Sequence, residues 1–333
     1  MKVIKLYPTF PFHYRVGIGR MDEVDETIHS DTLFSALINC ADMLYGDSEV
    51  NALIEAFNEG RFNISSVFFG ITTSLGETLF LPKPYGHFSP SNKENHDSPK
   101  KIKKIRYISL DIWKKIVSSW DKEKKIFNYD LTSHEVVGEK FLLSEKNEEL
   151  LELDFIKSIS RPKVSINRSN NAAENFYFQT EIELISTKEA QPFLFFLFRG
   201  NIDKKIKAIF NLLIEEGIGG KRFLGKGTFR KWDVGEIDLP DADNEGYNVS
   251  LSLVMPNKNE VDGIESYNLI RRDGFIYSNG GTSIRKKAVR LLSEGAIFNN
   301  NVKGRLFDAK PDTEKINHPV YVNGKSFNIK LGE

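Results

Sequence analysis

One cysteine, Cys40, stands in 333 residues, so no internal disulfide can form. No CxxC pair and no clustered His/Cys spacing offers a zinc site. That poverty fits a reducing cytoplasm. Long hydrophobic runs are missing too. The longest, Pro192-Phe-Leu-Phe-Phe-Leu-Phe198, falls far short of the ~20 residues a membrane-spanning helix needs and reads as a buried strand. The opening stretch MKVIKLYPTFPFHY has no small-residue cleavage site, so neither export nor membrane insertion is expected. Net charge is also absent: 46 Lys and Arg balance 46 Asp and Glu, and any polyanion must be met by a local patch. With 40% hydrophobic residues the chain can build real cores, and its length suits two domains.

What is present is a dense glycine loop. Residues 217–230, GIGGKRFLGKGTFR, set five glycines among Lys221, Arg222, Lys226 and Arg230. Glycine lets a backbone approach an anion closely with its N–H groups uncovered. Two nucleotide motifs nearly fit. Gly220 to Lys226 follows the Walker pattern until Gly227 replaces the magnesium-binding hydroxyl, and Gly217/Gly219 begin a dinucleotide fingerprint that Arg222 breaks. Element order excludes both more firmly. Ile206, Ile209, Phe210 and Leu213 repeat at helical spacing, which predicts a helix over 202–216 with Gly217 at its C-terminal cap, and residues 228–234 alternate like a strand. Helix, loop, strand turns the negative helix end toward the loop, the reverse of a phosphate-binding loop. Positive charge must come from side chains, which suits a long polyanion better than a nucleotide. No cofactor is expected.

Along the chain, residues 2–7 alternate like a strand. A helix follows, capped by Ser30 or Asp31, striped by Leu33, Phe34, Leu37, Ile38, Ala41, Leu44 and Tyr45, and stopped by Gly46. A shorter helix covers 50–59, and strands cover 63–69 and 78–81. Residues 85–150 are rich in charge and turn formers and read as an insertion or extended arm rather than core. Strands return at 161–168, 176–182 and 192–198. Strand, helix, strands, helix, strand is the order of a ferredoxin-like αβ sandwich. Asp238 to Gly246 is a linker, beyond which a strand at 248–254, a helix at 283–293 and strands near 319–331 suggest a second, smaller domain. The expected fold is therefore α+β: two ferredoxin-like (RRM-like) αβ sandwiches, 1–237 and 247–333, with an inserted arm.

Four stretches together resemble the RAMP proteins of CRISPR systems: His29-Ser-Asp-Thr-Leu-Phe-Ser-Ala36, Leu81-Pro-Lys-Pro84, Arg161-Pro-Lys-Val-Ser-Ile-Asn-Arg168, and the helix with its G-x-G-x-x-x-x-x-G-x-G loop at 217–227. Ser293-Glu-Gly-Ala-Ile-Phe298 and His318-Pro-Val-Tyr321 narrow the resemblance to the crRNA 5′-capping subunits of type III-A (Csm) effector complexes. The resemblance implies a non-catalytic subunit that binds the crRNA 5′ handle through the glycine-rich loop. It implies contacts to a large polymerase-like subunit and to backbone RAMP subunits. It also implies a β-hairpin thumb acting on the guide–target RNA duplex, for which the arm in 85–150 is the candidate.

The candidate RNA-binding residues are Gly217, Gly219, Gly220, Lys221, Arg222, Phe223, Gly225, Lys226, Gly227 and Arg230, joined by His29, Ser30, Arg161 and Arg168. Phe223 and Phe229 either stack bases or pack the core. Arg161 and Lys163 share one strand face, with Arg168 on the other. The run Lys100 to Arg106 either tracks a backbone or forms a solvated face. Arg285, Lys286, Lys287 and Arg290 on the expected 283–293 helix suit a protein or an RNA surface equally. The alternative function is a metal-independent RAMP endoribonuclease that processes crRNA precursors, with His29 or His13 as general base. Asp22, Glu23, Asp25 and Glu26 are read as solvated carboxylates, not a metal site.

Overall fold

The computed structural model describes residues 1–17, 20–89, 102–143, 154–276 and 284–332. Its centre is a nine-stranded sheet. Four strands, Phe68–Thr73, Gln191–Arg199, Lys2–Pro8 and Phe229–Glu236, lie side by side in it. With the helices Ser30–Tyr45 and Lys204–Glu216 they follow the βαββαβ order of a ferredoxin-like unit, the first and third strands central. Gly76–Pro82, Tyr107–Ser109, Phe141–Leu143 and Glu135–Val137 extend the sheet beyond Phe68–Thr73. The chain is α+β.

The 191–199 strand shows why the longest apolar run is a strand. Leu194, Phe196 and Phe198 pack with Leu33, Phe34, Ile209 and Phe210 from the two helices. Phe193, Phe195 and Leu197, pointing the other way, pack with Trp113, Val249, Leu251, Ile297 and Phe327. A strand buried on both faces needs no polar alternation. The second layer is built largely by C-terminal strands, Asn248–Ser250 between Ile297–Phe298 and Asn328–Lys330, so the two halves of the chain share one core.

Two sequence expectations are corrected. The described part of 85–150 is core as well as surface. Tyr107–Ser109 and Phe141–Leu143 are strands of the main sheet, and the helix Leu110–Ser118 buries Ile112, Trp113, Ile116 and Val117. Trp113 Nε1 donates to the Pro82 carbonyl at 2.9 Å. The charged neighbours Lys114 and Lys115 sit on the solvent side of an amphipathic helix, which made the segment look unburied. The densest charge, 90–101 with its Lys100 and Lys101, lies outside the described residues. Second, 284–292 is extended, not helical: Val289–Leu292 pairs with Leu269–Arg272. Val289 and Leu291 bury while Arg290 between them is exposed, a two-residue period that outweighs the helical spacing of Ile284, Ala288 and Leu291.

Candidate nucleic-acid interface

The 204–216 helix begins at Asp203, whose carboxylate accepts from the Ile206 N–H, and ends at Gly217. The glycine loop that follows is bonded to its own chain. Ile218 N–H donates to the Gly227 carbonyl (3.0 Å), closing the loop, while Gly220 and Gly227 N–H donate to the carbonyls of Arg15 (2.7 Å) and His13 (2.8 Å). A Cβ on Gly227, where φ is +73°, would stand 2.2 Å from the Ile218 carbonyl oxygen, and one on Gly219 2.7 Å from that of Arg15. These glycines let backbone meet backbone. The expectation that loop amides cradle phosphate is therefore corrected for Gly220 and Gly227, whose N–H groups are engaged within the fold.

The basic residues of the loop divide. Lys226 donates to Glu181, whose side chain is fully buried and also accepts from Gln179. Burial alone would raise the Glu181 carboxyl, but Lys226 and Gln179 hold it below its ordinary pKa. Lys226 is thus a structural tie. Arg222 is half-buried, 3.9 Å from Glu216. Lys221, in the left-handed region at φ +64°, starts a single 3-10 turn that displays Phe223, 81% exposed, with Lys221 Nζ 5.6 Å from the ring centroid. Phe229 instead is core, packed 5.2 Å from Phe12. Arg230 is exposed on the strand that follows. Phe223, Gly225 and Arg230 are the exposed members of the loop set, and Lys221, half-buried like Arg222 and Lys226, flanks Phe223.

Beside the loop stands a long hairpin, Ile156–Asn167 with Ala172–Leu184. Its base joins the strand Phe12–Tyr14 through Ile182–Tyr14, Glu183–His13 and Leu184–Phe12. That short strand also supplies the His13 carbonyl to Gly227, so loop and hairpin are seated on the same residues. Beyond the base the hairpin is exposed, carrying Arg161, Lys163 and Arg168 together with the apolar side chains Val164, Ile166, Phe176 and Phe178. Arg161 and Arg168 therefore belong to this projection rather than to the loop. Arg15, which no motif in the sequence marks, donates from Nη2 to the carbonyls of Arg20, Met21 and Glu23 and so shapes the chain under the loop.

His29 and Ser30 are not at this surface, and their assignment to RNA is corrected. His29 is 4% exposed, its Nδ1 2.7 Å from Glu294 and its Nε2 2.9 Å from Asp25. Burial opposes a charged ring, but the two carboxylates win and lift its pKa to about 9. A sealed imidazolium cannot be a general base. Ser30, with no exposure, donates its N–H to Ser66 Oγ (2.8 Å) and accepts from Leu253 N–H (3.1 Å) on its own Oγ. Asp31 is bound by Arg272 and lies 3.6 Å from Lys286. This cluster bolts the first helix to the C-terminal half. Its partners Arg272 and Glu294 lie more than 240 positions away in the chain, and no spacing rule links them. His13 lies 3.7 Å from Glu183 through Nε2. Of the acidic run, Asp22 pairs with Arg20, Asp25 with His29, and Glu26 with Lys140. Among the described residues no group of three or more His, Cys, Asp or Glu could hold a metal ion, and no helix is long and apolar enough to cross a membrane.

A ferredoxin-like sheet with a glycine loop after its second helix defines a class. The RAMP superfamily matches residues 14–230, and the chain belongs to that superfamily. Residues 243–331 match the CRISPR Csm4 C-terminal domain. The chain is similar to the CRISPR system Cms protein Csm4 of Methanocaldococcus jannaschii, 29% identical over 98% of this chain and 96% of that protein. It is 26% identical to the protein of the same description from Thermococcus onnurineus, over 97% and 94%. Among solved structures, a Csm3-Csm4 subcomplex of the type III-A CRISPR-Cas interference complex superposes over the full length of both chains with a TM-score of 0.67 at 23% identity. A Csm1-Csm4 cassette in complex with pppApA follows at 0.58 and 20%, over 99% and 97%.

Proposed function

We propose that this chain is a non-catalytic, RNA-holding subunit of a type III-A Csm effector complex. It grips the 5′ handle of a CRISPR RNA at the 217–230 loop and links the large subunit to the backbone subunits in antiviral defence. The observation that carries this reading is the Lys221–Phe223 tip: a cation and an exposed aromatic ring displayed on a loop that is pinned from beneath. Pinning lowers the ordering cost of binding, and the pair offers charge to a phosphate and a face to a base. The 156–184 hairpin takes the thumb role first sought in 85–150. It projects, carries Arg161 and Arg168, and presents Phe176 and Phe178 as apolar wedges toward a guide–target duplex. Relatives solved with Csm3 and with Csm1 support backbone and large subunits as partners. A cytoplasmic setting belongs to the same proposal, and the division at 238–246 is kept as a boundary in sequence between two halves that share one core. The charged, sealed state of His29 argues against it as general base in the endoribonuclease alternative, which leaves that role to His13 alone.

The test is a gel experiment on the purified chain with end-labelled RNA carrying a repeat-derived 5′ handle, a scrambled control and a chelator, run native and denaturing. A shifted, uncut handle that Lys221→Glu releases is the expected result. Shortened RNA in the denaturing lanes would replace the proposal with a nuclease.

A further inference from the structure

The ribbon of Leu269–Arg272 and Val289–Leu292 runs past its named strands: Phe275 bridges Arg285, and Ile276 N–H donates to the Ile284 carbonyl at 2.8 Å. Its described residues, 269–276 and 284–292, carry six cations, Arg271, Arg272, Arg285, Lys286, Lys287 and Arg290, against one acid, Asp273. Six minus one leaves +5, in a chain whose total is zero. Arg272 and Lys286 both face Asp31 inside the fold. The other four are exposed.

Arg271 and Arg290 are direct cross-strand partners, and like charges opposite one another destabilise a ribbon. Asp273, 3.2 Å from Arg271, relieves one of them, whereas Arg290 has no carboxylate within 4.0 Å among the described residues. Phe275 is 60% exposed with the Arg285 guanidinium 4.9 Å from its ring centroid, a stacked pair left open to water. Lys287 reaches Asp312, which is itself 92% exposed, so that pair is readily exchanged for another anion.

We propose that this ribbon is a second surface for single-stranded RNA, built on elements other than the glycine loop. The arginines meet consecutive phosphates, and the Phe275–Arg285 stack receives a base. An acidic protein face would also satisfy the arginines. It would not account for an aromatic ring held open beneath a guanidinium plane, which is the equipment of base stacking.

The experiment titrates the full chain with a labelled single-stranded oligouridine across a salt series, comparing wild type, R271Q/R290Q, F275A and K221E. For R271Q/R290Q the log–log salt slope should flatten by about 1.4, roughly 0.7 for each phosphate no longer neutralised, while the melting temperature stays level or rises because the repulsion is gone. F275A should weaken binding severalfold with the slope unchanged. K221E reports on the glycine loop separately, so either surface can fail while the other stands. An unchanged slope and affinity in R271Q/R290Q would overturn the inference, as would absence of binding by wild type at low salt. Loss of co-purifying partner subunits with RNA binding intact would overturn it in favour of a protein contact.

Discussion

Asp31, in the first turn of the 30–45 helix, accepts two parallel hydrogen bonds from Arg272, 3.0 Å from Nε and 2.9 Å from Nη2, across 241 residues of sequence. Both side chains are almost wholly buried. Removing one partner leaves the other charged in an apolar setting, so Asp31→Ala should cost about 3–5 kcal/mol, measured by urea denaturation. Burial alone would raise the Asp31 carboxyl, but Arg272 and Lys286 hold it far below the usual carboxylate range. Its contribution is therefore present above the unfolded carboxylate pKa and lost as the pH falls. A cost below about 1 kcal/mol would mean that the pair is not closed in solution.

The neighbouring His29 has the opposite sign. Its folded pKa is raised from 6.5 to about 9, so its contribution is complete below 6.5 and fades as the pH rises through about 9. The stability gap between wild type and His29→Gln should be widest near neutral and acidic pH and close in alkali. A gap constant across that range would show that the ring is not charged in the fold.

Trp113 tests whether the segment after residue 102 is core. The side chain is fully buried, and Trp113→Ala should destabilise by about 3–5 kcal/mol in thermal or urea melts. A detachable arm would tolerate the change with almost none.

Residues 1–237 expressed alone should aggregate or melt far below the intact chain. Their sheet would expose Phe195 and Leu197, which in the full chain pack with Val249, Leu251 and Phe327. A soluble, cooperatively melting fragment would mean that the shared core is dispensable.

On the hairpin, Phe176→Ala with Phe178→Ala should change the melting temperature little, because both rings are largely exposed. The same pair should alter base stacking in a guide–target duplex, read by 2-aminopurine fluorescence within the assembled complex. Unaltered fluorescence would remove the hairpin from the thumb role.

Much of this was determined by sequence alone, because it rests on short-range periodicity. The 30–45 and 204–216 helices, the doubly buried 191–199 strand and the helix–loop–strand order around Gly217 all follow from apolar spacing and glycine caps. Only the tertiary structure decided which charges are free. Lys221 and Lys226 look alike in the chain, yet one caps a turn beside the exposed Phe223 and the other is tied to the buried Glu181, since partner choice depends on elements 45 residues apart. His29 and Ser30 read as RNA contacts, and their burial, with that of Asp31 beside them, depends on Glu294, Leu253 and Arg272, brought over by the C-terminal half. Charge content hid the core of 102–143 for a related reason. A half-exposed helix and short strands show their buried face only once something covers it, and what covers it comes from both sides in the chain, Leu79 and Leu81 before it and Val249 and Phe327 more than a hundred residues after it.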